Sequence, residues 1–131
     1  MIHPITDRNF RADVLVSSIP VLVTFEAPWC GLCKFIKPTL IEFHDRWDEQ
    51  IRLVSVNADE NLKLASTYKI KSLPTVILFT NGRIIDRLEG FRGREDLRES
   101  LDRLTRIRTM NWQTIERESS MQIDWQLATS E

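Results

Sequence analysis

The sequence predicts an α/β fold with three layers, in which helices cover both faces of a central mixed sheet. Short runs of β-branched and other apolar residues alternate along the chain with longer segments whose apolar residues recur every three or four positions. After a first helix the order of elements is β-α-β-α-β-β-α, which predicts a sheet that is parallel in its middle.

The first half of the chain predicts two helices separated by a buried strand. Thr6 or Asp7 is expected to cap the first helix. The inward face of that helix is predicted to consist of Phe10, Val14 and Leu15. The strand covers Val21 to Phe25, and an amphipathic helix runs from Cys30 to about Trp47, with a kink at Pro38. The inward residues of this second helix are Ile36, Leu40, Phe43 and Trp47.

The second half predicts a strand from Ile51 to Val56 and a third helix that Asp59 caps and that ends near Lys69. The inward residues of this helix are predicted to be Leu62, Ala65 and Tyr68. A hairpin follows, in which the turn Asn81-Gly82 joins the strands Thr75 to Phe79 and Arg83 to Leu88. A last helix is expected from Arg94 to Arg108, with Leu97, Leu101, Leu104 and Ile107 on one face.

Length and charge restrict the class of protein. A chain of 131 residues with a formal net charge of -1 fits one domain with its own core, and does not favour nucleic acid or an anionic membrane as a partner. The densest apolar stretch, Ile19 to Phe25, contains Pro20 and Thr24, so no transmembrane helix is expected. The N-terminus lacks a basic region followed by an apolar one, so the sequence predicts a cytoplasmic protein.

The end of the chain differs in composition from the rest. Residues 111–131 carry one basic and four acidic residues, and four apolar positions alternate there with other residues. These four positions are Met121, Ile123, Trp125 and Leu127. The sequence therefore predicts a domain over residues 1–108 and a C-terminal extension over residues 109–131. The extension is either a small β-hairpin or a disordered polar tail.

The two cysteines of the chain, Cys30 and Cys33, lie three positions apart at the predicted start of a helix. Unpaired N–H groups and the partial positive charge of a helix N-terminus stabilise a thiolate on the first cysteine. Cys30 is therefore expected to attack a substrate disulfide, and Cys33 to resolve the mixed disulfide by attacking Cys30.

Two other uses of the cysteine pair are less favoured. A purely structural disulfide closing a four-residue loop contributes only about 2 kcal/mol in the chain-entropy model. A zinc site needs two further ligands, and His3 and His44 are not paired. We therefore expect no cofactor and no metal held within one chain, while a metal cluster shared between two chains stays open.

Trp29-Cys30-Gly31-Leu32-Cys33-Lys34 resembles the Trp-Cys-Gly-Pro-Cys-Lys signature of the thioredoxin family. The resemblance extends over roughly residues 2–107, and includes the matching positions Pro38, Leu73-Pro74-Thr75, Asn81-Gly82 and Gly90. It implies a thioredoxin fold and a thiol–disulfide oxidoreductase that acts as an electron carrier. It also implies a cis peptide between Leu73 and Pro74.

The resemblance further implies a surface that binds the substrate around the cysteine pair. The expected residues are Trp29, Leu32, Leu73, Pro74, Gly90 and Phe91. Since a proline has no N–H of its own, the backbone of Leu73 is expected to pair with a substrate strand. The implied partners are disulfide-containing proteins and a thioredoxin reductase, and a monomer is favoured.

Four positions depart from the family pattern. Leu32 replaces a proline between the cysteines, which predicts a less reducing potential than that of a typical thioredoxin. Thr24 and Ser55 replace a buried aspartate and its lysine partner, which predicts slower resolution of the mixed disulfide and a more stable fold. Glu26 replaces a tryptophan, and is interpreted as a solvated charge at a strand end rather than as a new acid or base.

These observations favour a reductase of protein disulfides. A redox-gated binding module with weak reductase activity is the alternative, because the departures put efficient general reduction in question.

Overall fold

The computed structural model describes residues 2–47 and 50–109, with side chains described up to residue 104. Five strands form one sheet: β1 (His3–Ile5), β2 (Val21–Glu26), β3 (Arg52–Asn57), β4 (Thr75–Thr80) and β5 (Arg83–Leu88). The longer helices are α1 (Gly31–Trp47), α2 (Leu62–Thr67) and α3 (Arg94–Thr109). A short helical segment, Arg11–Leu15, precedes β2 and contains a hydrogen bond of 3.0 Å from the Val16 N–H to the Arg11 carbonyl.

The strands are arranged in the order β1-β3-β2-β4-β5. β3 pairs in parallel with both β1 and β2, whereas β4 is antiparallel to both β2 and β5. The predicted mixed sheet is thus confirmed. In this register Thr24 of β2 lies opposite Ser55 of β3 and Val76 of β4.

Apolar side chains form two core clusters. One cluster joins α1 and α3 to the sheet, and includes Ile36, Leu40, Phe43, Leu97, Leu101 and Leu104. The other joins the Arg11–Leu15 segment and α2 to the sheet, and includes Phe10, Val14, Leu64 and Phe79. Helices therefore cover both faces of the sheet, as the three-layer prediction required.

The N-terminal part differs from the prediction in two respects. The sequence did not predict β1, because a three-residue strand that contains a proline carries little periodic signal. The first helical segment has Phe10 at its N-cap, without a side-chain hydrogen bond, so the predicted capping by Thr6 or Asp7 is wrong. Instead, the Thr6 hydroxyl accepts a hydrogen bond of 3.3 Å from the Arg8 N–H in the preceding turn.

Helix α2 is shorter than predicted, and one of its predicted inward residues lies on the surface instead. It begins at Leu62, after a turn in which Asn57 Oδ1 accepts hydrogen bonds from the N–H groups of Asp59 and Glu60, at 2.9 and 3.2 Å. Asp59 therefore does not cap the helix. Leu62 is exposed and Leu64 is buried, so the predicted inward position of Leu62 is also wrong.

Helix α3 begins at Arg94 as predicted and extends to Thr109. The side chain of Ile107 and residues 110–131 lie outside the described part, so the domain boundary and the form of the extension stay predictions. Within the described ranges, no helix is long and apolar enough to cross a membrane.

Candidate functional site

The two cysteines lie where the loop after β2 enters α1. They form a disulfide, with a distance of 5.3 Å between their Cα atoms. Cys30 immediately precedes the helix, and its N–H donates a hydrogen bond of 3.1 Å to the Ala27 carbonyl. Both side chains are nearly covered, Cys30 being 5% and Cys33 3% exposed.

The first turn of α1 directs a backbone donor at Cys30. The Cys33 N–H donates a hydrogen bond of 3.1 Å to Cys30 Sγ. N–H groups in the first turn of a helix have no carbonyl partner within the helix, and they lie at the positive end of its dipole. The donor in the first turn of α1 is thus directed at the Cys30 sulfur.

Trp29 lies on the surface beside the disulfide and is 69% exposed. Its Nε1–H donates a hydrogen bond of 2.6 Å to Asp59 Oδ2. Sequence reasoning missed this contact because it assigned Asp59 to a helix cap. The parallel strands β2 and β3 end at the same edge of the sheet, so the loop with Trp29 and the loop with Asp59 lie next to each other. The parallel pairing of these strands is the signal that could have predicted the contact.

The other predicted surface residues divide into two groups. The peptide between Leu73 and Pro74 is cis, as the resemblance implied, and Leu73 is half-buried. Leu32 is also half-buried, and Gly90 is exposed with a φ of 72°. Pro74 and Phe91 differ, because both are buried and their side chains offer little surface to a partner. Phe91 belongs to the cluster beneath α1 and α3.

Behind the disulfide, the two hydroxyl residues occupy neighbouring strands. Thr24 is 1% and Ser55 is 8% exposed. Among the described residues, Thr24 Oγ1 has no hydrogen-bond partner. At these two positions the centre of the sheet thus carries buried hydroxyl groups, which are polar but uncharged.

A carboxylate lies close to these hydroxyls, two residues further along β2 than Thr24. The side chain of Glu26 is only 17% exposed, and its Oε1 lies 3.5 Å from Lys37 Nζ of α1. Glu26, Lys37, Cys33 and Ser55 line one cavity of about 330 Å³. Glu26 is therefore a charge that α1 and the sheet largely cover, and not the freely solvated charge at a strand end that the sequence predicted.

Comparisons with known proteins agree with this geometry. The family model described as Thioredoxin matches residues 1–103. The chain is 42% identical over 99 residues to Thioredoxin 1 of Synechococcus elongatus, which covers 76% of this chain and 92% of the relative. It is 39% identical to Thioredoxin 1 of a Nostoc species over the same shares of the two chains. With Thioredoxin of a Synechocystis species the identity is 37%, again over 76% and 92%.

A disulfide between cysteines three positions apart at a helix N-terminus, preceded by an exposed tryptophan in a chain that also has a cis-proline, is typical of dithiol–disulfide redox proteins. The chain belongs to the thioredoxin family, and it is a thiol–disulfide oxidoreductase.

Proposed function

We propose that the protein reduces disulfides of other proteins, with Cys30 as the attacking thiol and Cys33 as the resolving thiol. The observation that carries this assignment is the hydrogen bond from the Cys33 N–H to Cys30 Sγ at the start of α1. A donor aimed at one sulfur favours the thiolate there, and the thiolate is the nucleophile in disulfide exchange.

The exchange proceeds in two displacements. The Cys30 thiolate attacks one sulfur of the substrate disulfide, and the other substrate sulfur leaves as a thiolate. Cys33 then loses its proton and attacks Cys30, which releases the second substrate sulfur and forms the intramolecular disulfide. Two electrons pass from the protein to the substrate, and each substrate thiolate takes up a proton.

We propose that the substrate lies against Trp29, Leu32, Leu73 and Gly90, and that the buried residues Pro74 and Phe91 support this surface from beneath. Leu73 is half-buried and precedes Pro74, which has no N–H of its own. The proposed contact at this point is a pairing of the Leu73 backbone with an extended segment of the substrate. Gly90 has no side chain, which allows the backbone of a partner to approach closely.

A thioredoxin reductase is the proposed source of electrons, which makes the protein part of an electron-transport chain. We place it in the cytoplasm, because both of its cysteines belong to the redox pair and none is left for a structural disulfide. We further propose that it acts as a monomer, which sedimentation of the purified full chain would test.

A trapping experiment tests the proposed roles. Replacing the resolving thiol, Cys33→Ser, is expected to accumulate mixed disulfides through Cys30 that reducing agent releases. The matched control is Cys30→Ser, which is expected to trap little. Equal trapping by both variants, or trapping by the control alone, would overturn the assignment of the attacking thiol. Turbidity from insulin reduction by the unmodified protein reports general reductase activity in parallel.

A further inference from the structure

We propose that Glu26 is the proton acceptor for Cys33, through water in the cavity that both residues line. The proposal rests on the proposed resolving role of Cys33. It assigns a chemical task to a carboxylate that stands at neither of the two central hydroxyl positions, Thr24 and Ser55.

The need for an acceptor follows from the burial of Cys33. The side chain is 3% exposed, and a buried thiol has little direct access to bulk water. Only the thiolate attacks a disulfide efficiently, so the proton of Cys33 must leave during the resolving step. The neighbouring hydroxyls of Thr24 and Ser55 do not act as bases near neutral pH.

The cavity provides the path. It has a volume of about 330 Å³ and is lined by Cys33, Glu26 and Ser55 together with several other polar residues. A water molecule occupies roughly 30 Å³ in the liquid, so a polar cavity of this size holds several. A short chain of water can therefore join the Cys33 sulfur to the Glu26 carboxylate.

Two carboxylates line the cavity, and their surroundings favour Glu26 over Glu60 as the proton acceptor. β2 contributes Glu26, α1 contributes Lys34 and Lys37, and the loop before α2 contributes Glu60. Lys37 Nζ lies 3.5 Å from Glu26 Oε1, which holds the Glu26 side chain at the cavity wall. Glu60 is exposed, whereas the Glu26 side chain is 17% exposed, so Glu26 is the carboxylate that α1 and the sheet enclose beside the cavity.

The resolving step moves one proton and exchanges one sulfur–sulfur bond for another. The Cys33 thiol gives its proton through water to Glu26, and its sulfur forms a bond to Cys30 while the bond between Cys30 and the substrate sulfur breaks. The substrate sulfur leaves as a thiolate and takes up a proton. When Glu26 donates that proton, its carboxylate is regenerated. The substrate disulfide is the oxidant, and the reduced cysteine pair is the reductant.

A single-turnover experiment separates this step from the first attack. The reduced full-length protein is mixed in a stopped-flow instrument with one equivalent of the aryl disulfide dithiobisnitrobenzoate. The first release of thionitrobenzoate reports attack by Cys30 and depends on concentration. The second release reports attack by Cys33 and does not. Absence of both phases would refute the proposed function itself, whereas the inference concerns only the second phase.

We expect Glu26→Gln to slow the second phase at neutral pH by about tenfold or more, since a positioned proton acceptor typically contributes roughly 10²- to 10⁴-fold. The first phase is expected to change little. The second-phase rate of the variant should also rise about tenfold per pH unit, as hydroxide replaces the lost acceptor, while the unmodified protein shows a flatter profile.

Two matched variants distinguish this role from a structural one. Glu60→Gln removes the other carboxylate at the cavity, and is expected to leave the second phase unchanged. Lys37→Gln breaks the same ion pair but keeps the Glu26 carboxylate, and is expected to slow the phase much less than Glu26→Gln.

The proposal is overturned if Glu26→Gln leaves the second phase unchanged, if Glu60→Gln slows it as much, or if Lys37→Gln slows it equally. If Glu26→Gln does not fold, the pH profile of the unmodified protein decides. A second-phase rate that is proportional to hydroxide throughout would then refute the proposal.

Discussion

At the scale of single residues, the centre of the sheet behind the disulfide carries a hydroxyl pair instead of a charged one. Thr24 and Ser55 are buried opposite each other, and the charged pair of this region is formed by Glu26 and Lys37 at the cavity. Burying hydroxyls costs less free energy than burying charges. A carboxylate at the cavity, by contrast, keeps contact with water and with its partner.

The unpartnered hydroxyl of Thr24 leads to a prediction about stability. We expect Thr24→Val to raise the free energy of unfolding by about 1 kcal/mol, because it removes a buried hydroxyl while keeping the shape of the side chain. Thr75→Val is the matched control. Its hydroxyl is buried but donates a hydrogen bond of 2.7 Å to the Ser72 carbonyl, so this change is expected to destabilise. Urea unfolding measures both, and a loss of stability in Thr24→Val would contradict the expectation.

Tyr68 leads to a prediction about alkaline pH. Burial raises its pKa above the ordinary value near 10, and its ring lies 5.5 Å from those of Phe10 and Phe79, measured between centroids. The unfolded chain therefore ionises first, and the folded state loses stability as pH rises through the ordinary phenol range.

Tyr68→Phe removes this loss. We expect the difference in unfolding free energy between variant and parent to shift in favour of the variant as pH increases past about 10. Tyr68 is the one tyrosine in the sequence, so the ultraviolet absorbance of phenolate follows its titration directly. A difference in stability that does not change with pH would be evidence against a raised pKa.

At the scale of elements, local sequence and long-range contacts contribute differently. Helix α1 and the hairpin of β4 and β5 agree with prediction, because their patterns are long or carry a specific turn. Helix α2 does not, because the Asn57 side chain shapes the preceding turn and because Arg87 of β5 donates a hydrogen bond of 2.7 Å to the Lys69 carbonyl beyond the helix end. Neither contact has a periodic signature.

The hairpin turn also contacts another element. Asn81 and Gly82 have φ angles of 53° and 78°, as the predicted Asn-Gly turn requires, and a Cβ on Gly82 would lie 2.9 Å from the Leu15 carbonyl oxygen. Gly82→Ala is therefore expected to lower the free energy of unfolding by about 2 kcal/mol, from backbone strain and this contact together.

Gly90→Ala is the control for that substitution. Its φ is 72°, but nothing lies within 4 Å of an added Cβ, so it carries the strain without the contact. Thermal or urea unfolding of both variants separates the two contributions. If the two substitutions cost equal free energy, the contact with the Arg11–Leu15 segment contributes nothing.

At the scale of the whole molecule, the core does not depend on the disulfide. Two clusters on opposite faces of the sheet hold the described part together. We expect reduction to lower the free energy of unfolding by about 2 kcal/mol, the chain-entropy value for a loop of four residues, and to leave the protein folded.

Urea unfolding of the oxidised and reduced forms measures this difference. The double variant Cys30→Ser/Cys33→Ser serves as the control without a disulfide in either buffer. Global unfolding of the reduced form would show that the disulfide has a structural role, which a redox cycle does not allow.

The predicted division of the chain at residue 108 has a test of its own. The described core clusters already cover both faces of the sheet, so a chain that ends at residue 109, the last residue of α3, is expected to fold with a similar thermal midpoint and to keep insulin reduction. The full chain is the control. A large drop in the midpoint would indicate that the extension packs on the domain and forms part of it.

The sequence by itself determined the layered α/β fold, the bounds of β5, the start of α3 and the redox pair. Periodicity, turn residues and the spacing of Cys30 and Cys33 are local properties that a chain carries before it folds. Only the tertiary structure decided that Asp59 reaches Trp29, that Phe91 is buried, and that Glu26 meets Lys37 beside Cys33. Such contacts depend on how separate elements pack, because side chains far apart in sequence meet only once the sheet and α1 are assembled.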